Sequence, residues 1–110
     1  MLSIAYIPCP SEAEALKISE TLVKQGLIAC ANVFKSRSVY SWKGKLENTD
    51  EWVIVAKTLP EKLDGLRAKV KELHSYETPC IVSFSAADSN AEYLGWVKKQ
   101  VKKQVNKQVK

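Results

Sequence analysis

Two hydrophobic periods divide the chain. Leu2 to Ile7 is an unbroken apolar run that stops at Pro8-Cys9-Pro10, where two prolines oppose both ladder bonds and helix. This predicts a strand and a stiff turn. Ser11 with Glu14 forms an S-x-x-E capping box, and Ala15, Leu16, Ser19, Leu22 and Val23 then fall on one helical stripe that Gly26 closes. From Leu27 to Trp42 the residues are β-formers without helical period. Lys43-Gly44-Lys45 supplies a turn in which glycine meets a positive φ, and Glu51 to Thr58 returns as a second strand. Tyr40 and Trp42 leave one face of the outgoing strand, while Trp52, Ile54, Ala56 and Thr58 share one face of the return strand. Leu59-Pro60-Glu61 starts a second helix, with Leu63, Leu66, Val70 and Leu73 at helical spacing, that ends near His74. Cys80 to Phe84 is a further strand, and Ser89 with Glu92 forms a capping box for a last helix.

The order β-α-β-β-α-β plus a C-terminal helix predicts an α+β, ferredoxin-like fold. Right-handed crossovers place both main helices on one face of a four-stranded antiparallel sheet. The return strand, however, is apolar on both faces from Trp52 to Ala56, the pattern of a strand covered on both sides. Further copies of the chain are the expected cover, which predicts an obligate homo-oligomer. The hairpin is also long. Its outgoing half, Leu27 to Trp42, would reach about 50 Å at ~3.3 Å per residue, against a radius of gyration near ~13 Å for a chain of this size. It must bend, contain a bulge or project, with a change of environment expected near Phe34.

Length suits one domain, 1–110, with a basic helical tail at 98–110. Hydrophobic residues at 45% and charged ones at 26% are those of a soluble globular protein, and no apolar run is long enough to span a membrane. The N-terminus lacks the basic region of a secretion signal, so a cytoplasmic location is expected. The net charge of +5 belongs to the tail, because residues 97–110 hold six lysines and no acid, leaving −1 for the remainder. Valines 97, 101, 105 and 109 make a narrow stripe flanked by lysine. It reads as a solvated helical end or as a segment drawn to acidic surfaces such as nucleic acid or anionic lipid. Cys9, Cys30 and Cys80 fit neither a disulfide framework nor a C-x-x-C metal motif and read as reduced thiols, mostly buried.

SVYSWKGKLENTDEWVIVAKT (38–58) followed by ELHSYETPCI, with IACANV upstream and EYLGWV downstream, resembles the CutA family of divalent-cation-tolerance proteins. The order Y-x-W-x-G-x-x-E, K-T and H-x-Y-E-x-P carries the resemblance, which runs from the first strand to Val97. It implies a homotrimer that resembles the PII signalling proteins in assembly, a link to copper and other divalent metals, and no established catalysis. It also implies copper ligation by a histidine at the position of His74. A neighbouring family histidine falls on Leu73 here, and a family cysteine falls on Ile7, two residues before Cys9.

Candidate chemistry follows from both readings. His74 is the only histidine; imidazole suits copper and zinc, and thiolate favours Cu(I). Topology brings the end of the first strand towards the start of the fourth, so Cys9, Cys80 and His74 form a candidate site for copper or another divalent cation. The family usually has glutamate where Cys80 stands. The alternative is two neighbouring thiols that bind nothing and a histidine that caps its helix. Tyr40, Trp42, Glu47, Lys57, Tyr76, Glu77 and Trp96 fall on the family's motif positions and form a candidate ligand-binding set in a cleft between subunits. The same residue types also build assembly interfaces. A buried Lys57 would need a carboxylate, with Glu47 or Glu77 the candidates.

No nucleophile and base form an identifiable pair, which argues against an enzyme. An acylphosphatase-type hydrolase would need a phosphate loop where YIPCPSE offers prolines. An RNA-recognition module shares the architecture, but its aromatic strand motif is absent and the body is nearly neutral. The leading reading is a homotrimeric, metal-responsive tolerance or signalling module. The alternative is a PII-type small-molecule-binding or scaffold trimer, with nucleic acid through the tail the weaker partner.

Overall fold

The computed structural model describes residues 1–109, with side chains through Val101. Ser11 opens the first helix as its sequence predicts: its backbone is extended and its Oγ accepts the Glu14 N–H at 3.2 Å. Helix α1 (Glu12–Lys24) follows strand β1 (Ser3–Cys9) and is terminated by Gly26 at φ 70°. Its buried stripe is Ala15, Ile18, Ser19 and Leu22. Leu16, expected on that stripe, is 43% exposed. Strands β2 (Cys30–Trp42) and β3 (Lys45–Thr58) form the hairpin, a 3-10 turn at Pro60–Lys62 leads into α2 (Leu63–Leu73), and β4 (Val82–Ser85) precedes α3 (Ala91–Val109). The last helix begins after Asn90, one residue later than a Ser89 cap would set it, and Leu94 N–H donates to the Asn90 carbonyl at 3.2 Å.

The sheet order is β2-β3-β1-β4, all antiparallel, which is the ferredoxin-like arrangement. Ala5, Ile7 and Cys9 of β1 and Ile54 and Ala56 of β3 point to one side, where they pack with Ile18 and Leu22 of α1 and Leu66 and Val70 of α2. Burying each Ile, Leu or Val of this layer contributes about 1.5–3 kcal/mol. The opposite face is only partly covered. A second cluster joins Leu2, Ala29 and Leu59 to Val97 and Val101 of α3, with Ile4 against it. Tyr93 of α3 also meets Cys30, Oη to Sγ at 3.1 Å. Ile4 and Cys30 have the parity of the opposite face, so α3 lies over one end of it. Val97 and Val101 are therefore core residues and not a solvated edge; valines 105 and 109 lie outside the residues with described side chains. On the rest of that face Tyr6, Phe34, Val82 and Phe84 stand 40–55% exposed.

The hairpin neither bends through a bulge nor stops short. Its ladder runs in one register from Cys30↔Lys57 to Trp42↔Lys45, and β3 begins at Lys45, six residues before the expected start. Lys43 (φ 53°) and Gly44 (φ 79°) both take positive φ, as a two-residue type I′ turn requires. Beyond Trp52, where pairing with β1 ends, β2 and β3 have only each other. Phe34 pairs with Val53 beside that point, where the change of environment was expected. The free half projects and stretches the molecule to 46 Å along its longest axis. One side of this arm carries the Lys35–Asp50 and Arg37–Asp50 ion pairs. Tyr40 and Trp42, of the other parity, lie on the opposite side.

β1 also outruns its expected end at Ile7. β4 pairs with β1 only as far as Tyr6↔Val82, so Pro8 sits where one flank of the strand has no ladder and its missing N–H is not needed.

Candidate functional site

Beyond the last β1–β4 pair, the chain after α2 takes the place of a strand. His74 ends that helix in extended conformation (φ −78°, ψ 139°), with its side chain turned into the protein. Its Nε2–H donates to the Pro8 carbonyl at 2.8 Å, and its Nδ1 accepts the Tyr76 N–H at 3.1 Å. These two contacts select the Nε2–H tautomer. Glu14, read in the sequence only as half of a capping box, sends its carboxylate here: Oε2 accepts the Ser75 N–H at 3.0 Å and lies 3.4 Å from His74 Nδ1. Cys9 completes the group from β1. The donor atoms of Cys9, Glu14 and His74 all lie within 4.8 Å of one another.

Sulfur, nitrogen and oxygen in one cluster suit a borderline or soft cation. Each donor is already committed, however. Burial, then the charges of Glu14 and Glu51, push the Cys9 thiol up to about 12, and its Sγ–H points at the Ile7 carbonyl 3.9 Å away. An entering cation must displace that proton and take Nδ1 from the Tyr76 N–H. The cluster sets Cys9 beside His74, as topology led one to expect, with Glu14 in the place expected for Cys80. A buried thiol held protonated is the opposite of an activated nucleophile.

On the other side of the sheet lies an open cavity of about 640 Å³. Tyr40 and Trp42 of β2 and Glu47 and Glu51 of β3 line one wall. Tyr76, Glu77 and Thr78 form the other, with Pro8 and Cys80 at the base. Tyr76 ties the walls together, its hydroxyl donating to Glu51 Oε2 at 2.8 Å while its ring lies 4.8 Å from that of His74. Burial, and then the hydrogen bond to Glu51, raise the Tyr76 phenol well above its ordinary value. Burial and the Glu51 charge likewise raise the Cys80 thiol.

The structure thus brings together Tyr40, Trp42, Glu47, Tyr76 and Glu77 from the candidate ligand set. Within one chain Lys57 and Trp96 do not line the cavity. Lys57 lies ten residues along β3 from Glu47 and bonds to Asn32 Oδ1, not to the expected carboxylate. Trp96 stacks on Tyr93 at 5.7 Å. Cys80 does not join Cys9. In the β1–β4 register, residues of equal parity share a face (Tyr6↔Val82), so odd Cys9 turns to the helices and even Cys80 to the cavity. Glu14 and Glu51 were missed: one looked like a cap and the other like the polar start of a strand.

The family model for the CutA1 divalent ion tolerance protein matches residues 3–100. The chain belongs to the CutA1 family. The divalent-cation tolerance protein CutA of Archaeoglobus fulgidus is 37% identical over 93% of this chain and all of its own length. That of Thermotoga maritima is 38% identical over 89% of this chain and 97% of its own. The solved structure of the periplasmic CutA from A. fulgidus superposes with a TM-score of 0.89 at 38% identity, covering 92% of this chain and 99% of the other. The ferredoxin-like sheet is therefore the fold of CutA1 relatives, and those relatives are named for tolerance of divalent cations and not for a reaction. Among the described residues, no helix is long and apolar enough to cross a membrane.

Proposed function

We propose that this CutA1 chain is a metal-responsive module that takes a divalent cation or copper at Cys9, Glu14 and His74. The observation that supports this is the convergence of thiol, carboxylate and imidazole from three separate elements within 4.8 Å. Response follows from competition at one atom. A cation on His74 Nδ1 releases the Tyr76 N–H, and Tyr76 is the residue whose hydroxyl holds Glu51 across the cavity. Capture on one face of the sheet would then alter a binding surface on the other.

Assembly is part of the same proposal. The exposed apolar face and the projecting arm are the surfaces through which a homotrimer of this chain would form. Light scattering at micromolar concentration should return three times the chain mass, reduced by Trp42→Ala; a monomer would contradict it. A second reading, small-molecule binding, is favoured by the cavity, whose volume falls in the usual range for ligand sites.

The test of the metal site is a competition titration of Cu(I) and Zn(II) against a chelator. Cys9→Ser should weaken binding at least about tenfold and Cys80→Ser should leave it unchanged. Equal affinity of Cys9→Ser and the parent protein would remove this cluster as the site.

A further inference from the structure

The positive charge of the chain gathers where the family match stops. Residues 97–110 read VKKQVKKQVNKQVK, with six lysines and no acid, and the rest of the chain carries −1 of the net +5. The match covers residues 3–100, so Lys102, Lys103, Lys107 and Lys110 lie outside it. The backbone of α3 nevertheless continues as one helix to Val109. Its root is fixed, because Val97 and Val101 are buried with Leu2, Ala29 and Leu59, while Lys98 and Lys99 are exposed. At about 100° per residue, lysine positions 98, 99, 102, 103 and 107 fall within one half of the helix circumference and valine positions 97, 101 and 105 within the other. The lysine half is about 14 Å long at about 1.5 Å per residue. It also opposes itself: 98 and 102, 99 and 103, and 103 and 107 are like charges four residues apart, each unfavourable to a helix standing alone. A partner with closely spaced negative charge relieves that repulsion.

We propose that the lysine half of α3 binds the phosphate backbone of duplex DNA, with the helix seated in the major groove. That groove admits an α-helix and has phosphates along both walls, so cations spread over half a circumference reach both strands. A flat anionic lipid surface would meet only the middle of the arc. Helices that lie in membranes also add Trp, Phe or Leu, and none of these occurs in residues 97–110. Lysine on phosphate reads no bases, so the binding is without sequence preference. It is independent of the metal cluster and of the cavity.

Fluorescence anisotropy of two short labelled DNA duplexes of unrelated sequence, titrated with the full-length protein at low salt, tests it. Both should bind with equal affinity, falling at least about a hundredfold when salt is raised about fourfold, as counterion release from about four phosphates requires. The combined variant Lys102→Gln, Lys103→Gln and Lys107→Gln keeps good helix formers beyond the core and should lose at least about tenfold. Lys17→Gln with Lys24→Gln, exposed on α1, should leave affinity unchanged. Equal losses in the two variants would reduce the effect to net charge and overturn the proposal, as would no duplex binding at low salt. Phosphatidylserine vesicles that strip the protein from the duplex at equal anionic charge would assign the lysines to lipid and overturn it; a duplex that stays bound supports it. Unchanged duplex affinity in the α3 variant, with a reduced mass by light scattering, would assign them to a second copy and overturn it.

Discussion

The two ends of the segment His74-Ser75-Tyr76 sit in opposite environments, and the contrast explains both. On the helix side, His74 has both ring nitrogens bonded, Glu14 receives the Ser75 N–H, and Cys9 stays a protonated thiol because no solvent reaches it. On the open side, Glu51 is buried with, among the described residues, one hydrogen bond and no cation, and aromatic rings stand exposed around it. The first region is satisfied in the metal-free protein, so it contributes stability and a cation can enter only by displacing bonds already made. The second is left unmatched within one chain. A segment of three residues joins the buried donor cluster to the open cavity.

The largest expected effect separates the two by stability. His74→Ala removes a buried ring and two hydrogen bonds to backbone and should cost about 3 kcal/mol in urea unfolding. Glu77→Gln, at the rim of the cavity, should stay within about 0.5 kcal/mol. Equal losses would erase the distinction. Next in size is thiol reactivity in the native protein: Cys80 should react with iodoacetamide at least about a hundredfold faster than buried Cys9, with the difference vanishing in denaturant. Comparable native rates would place Cys9 in solvent. Smaller still is the link itself. A double-mutant cycle of Tyr76→Phe and Glu51→Ala should give a coupling of about 1–2 kcal/mol, the range of a hydrogen bond to a charged group. A coupling near zero would make the 2.8 Å contact incidental. The smallest effect concerns the helix layer, where Ser19 Oγ is buried with no hydrogen-bond partner among the described residues. Ser19→Ala should raise stability by about 0.5–1 kcal/mol, and a loss would reveal a partner.

Much of this fold was legible because local signals agreed. Ser11, Gly26, Pro60 and His74 mark helix ends through backbone chemistry that needs no tertiary context. Gly44 marks the turn, although a positive φ at Lys43 carried no signal of its own. The one-sided sheet followed from topology. What failed depended on register. Cys9 and Cys80 were placed together because strand order is readable from sequence, but the parity of a pairing is not, and one residue of offset puts them on opposite faces. Lys57 was given a carboxylate because charge pairing was argued without distance along the strand. Glu14 escaped notice because the capping box explained it fully, whereas its carboxylate turns away from Ser11 to Ser75. The cavity residues on the hairpin were found through motif positions, and Glu51 through none.

A cation can enter the cluster only if the Tyr76 N–H leaves His74 Nδ1. Titration of the 15N-labelled protein with Zn(II), followed by amide spectra of the parent and of Cys9→Ser, reads that atom directly. The predicted result is a large shift of the Tyr76 amide that saturates with bound metal, accompanied by shifts at Glu51 and absent from Cys9→Ser. Stoichiometric binding with the Tyr76 amide unmoved would contradict it.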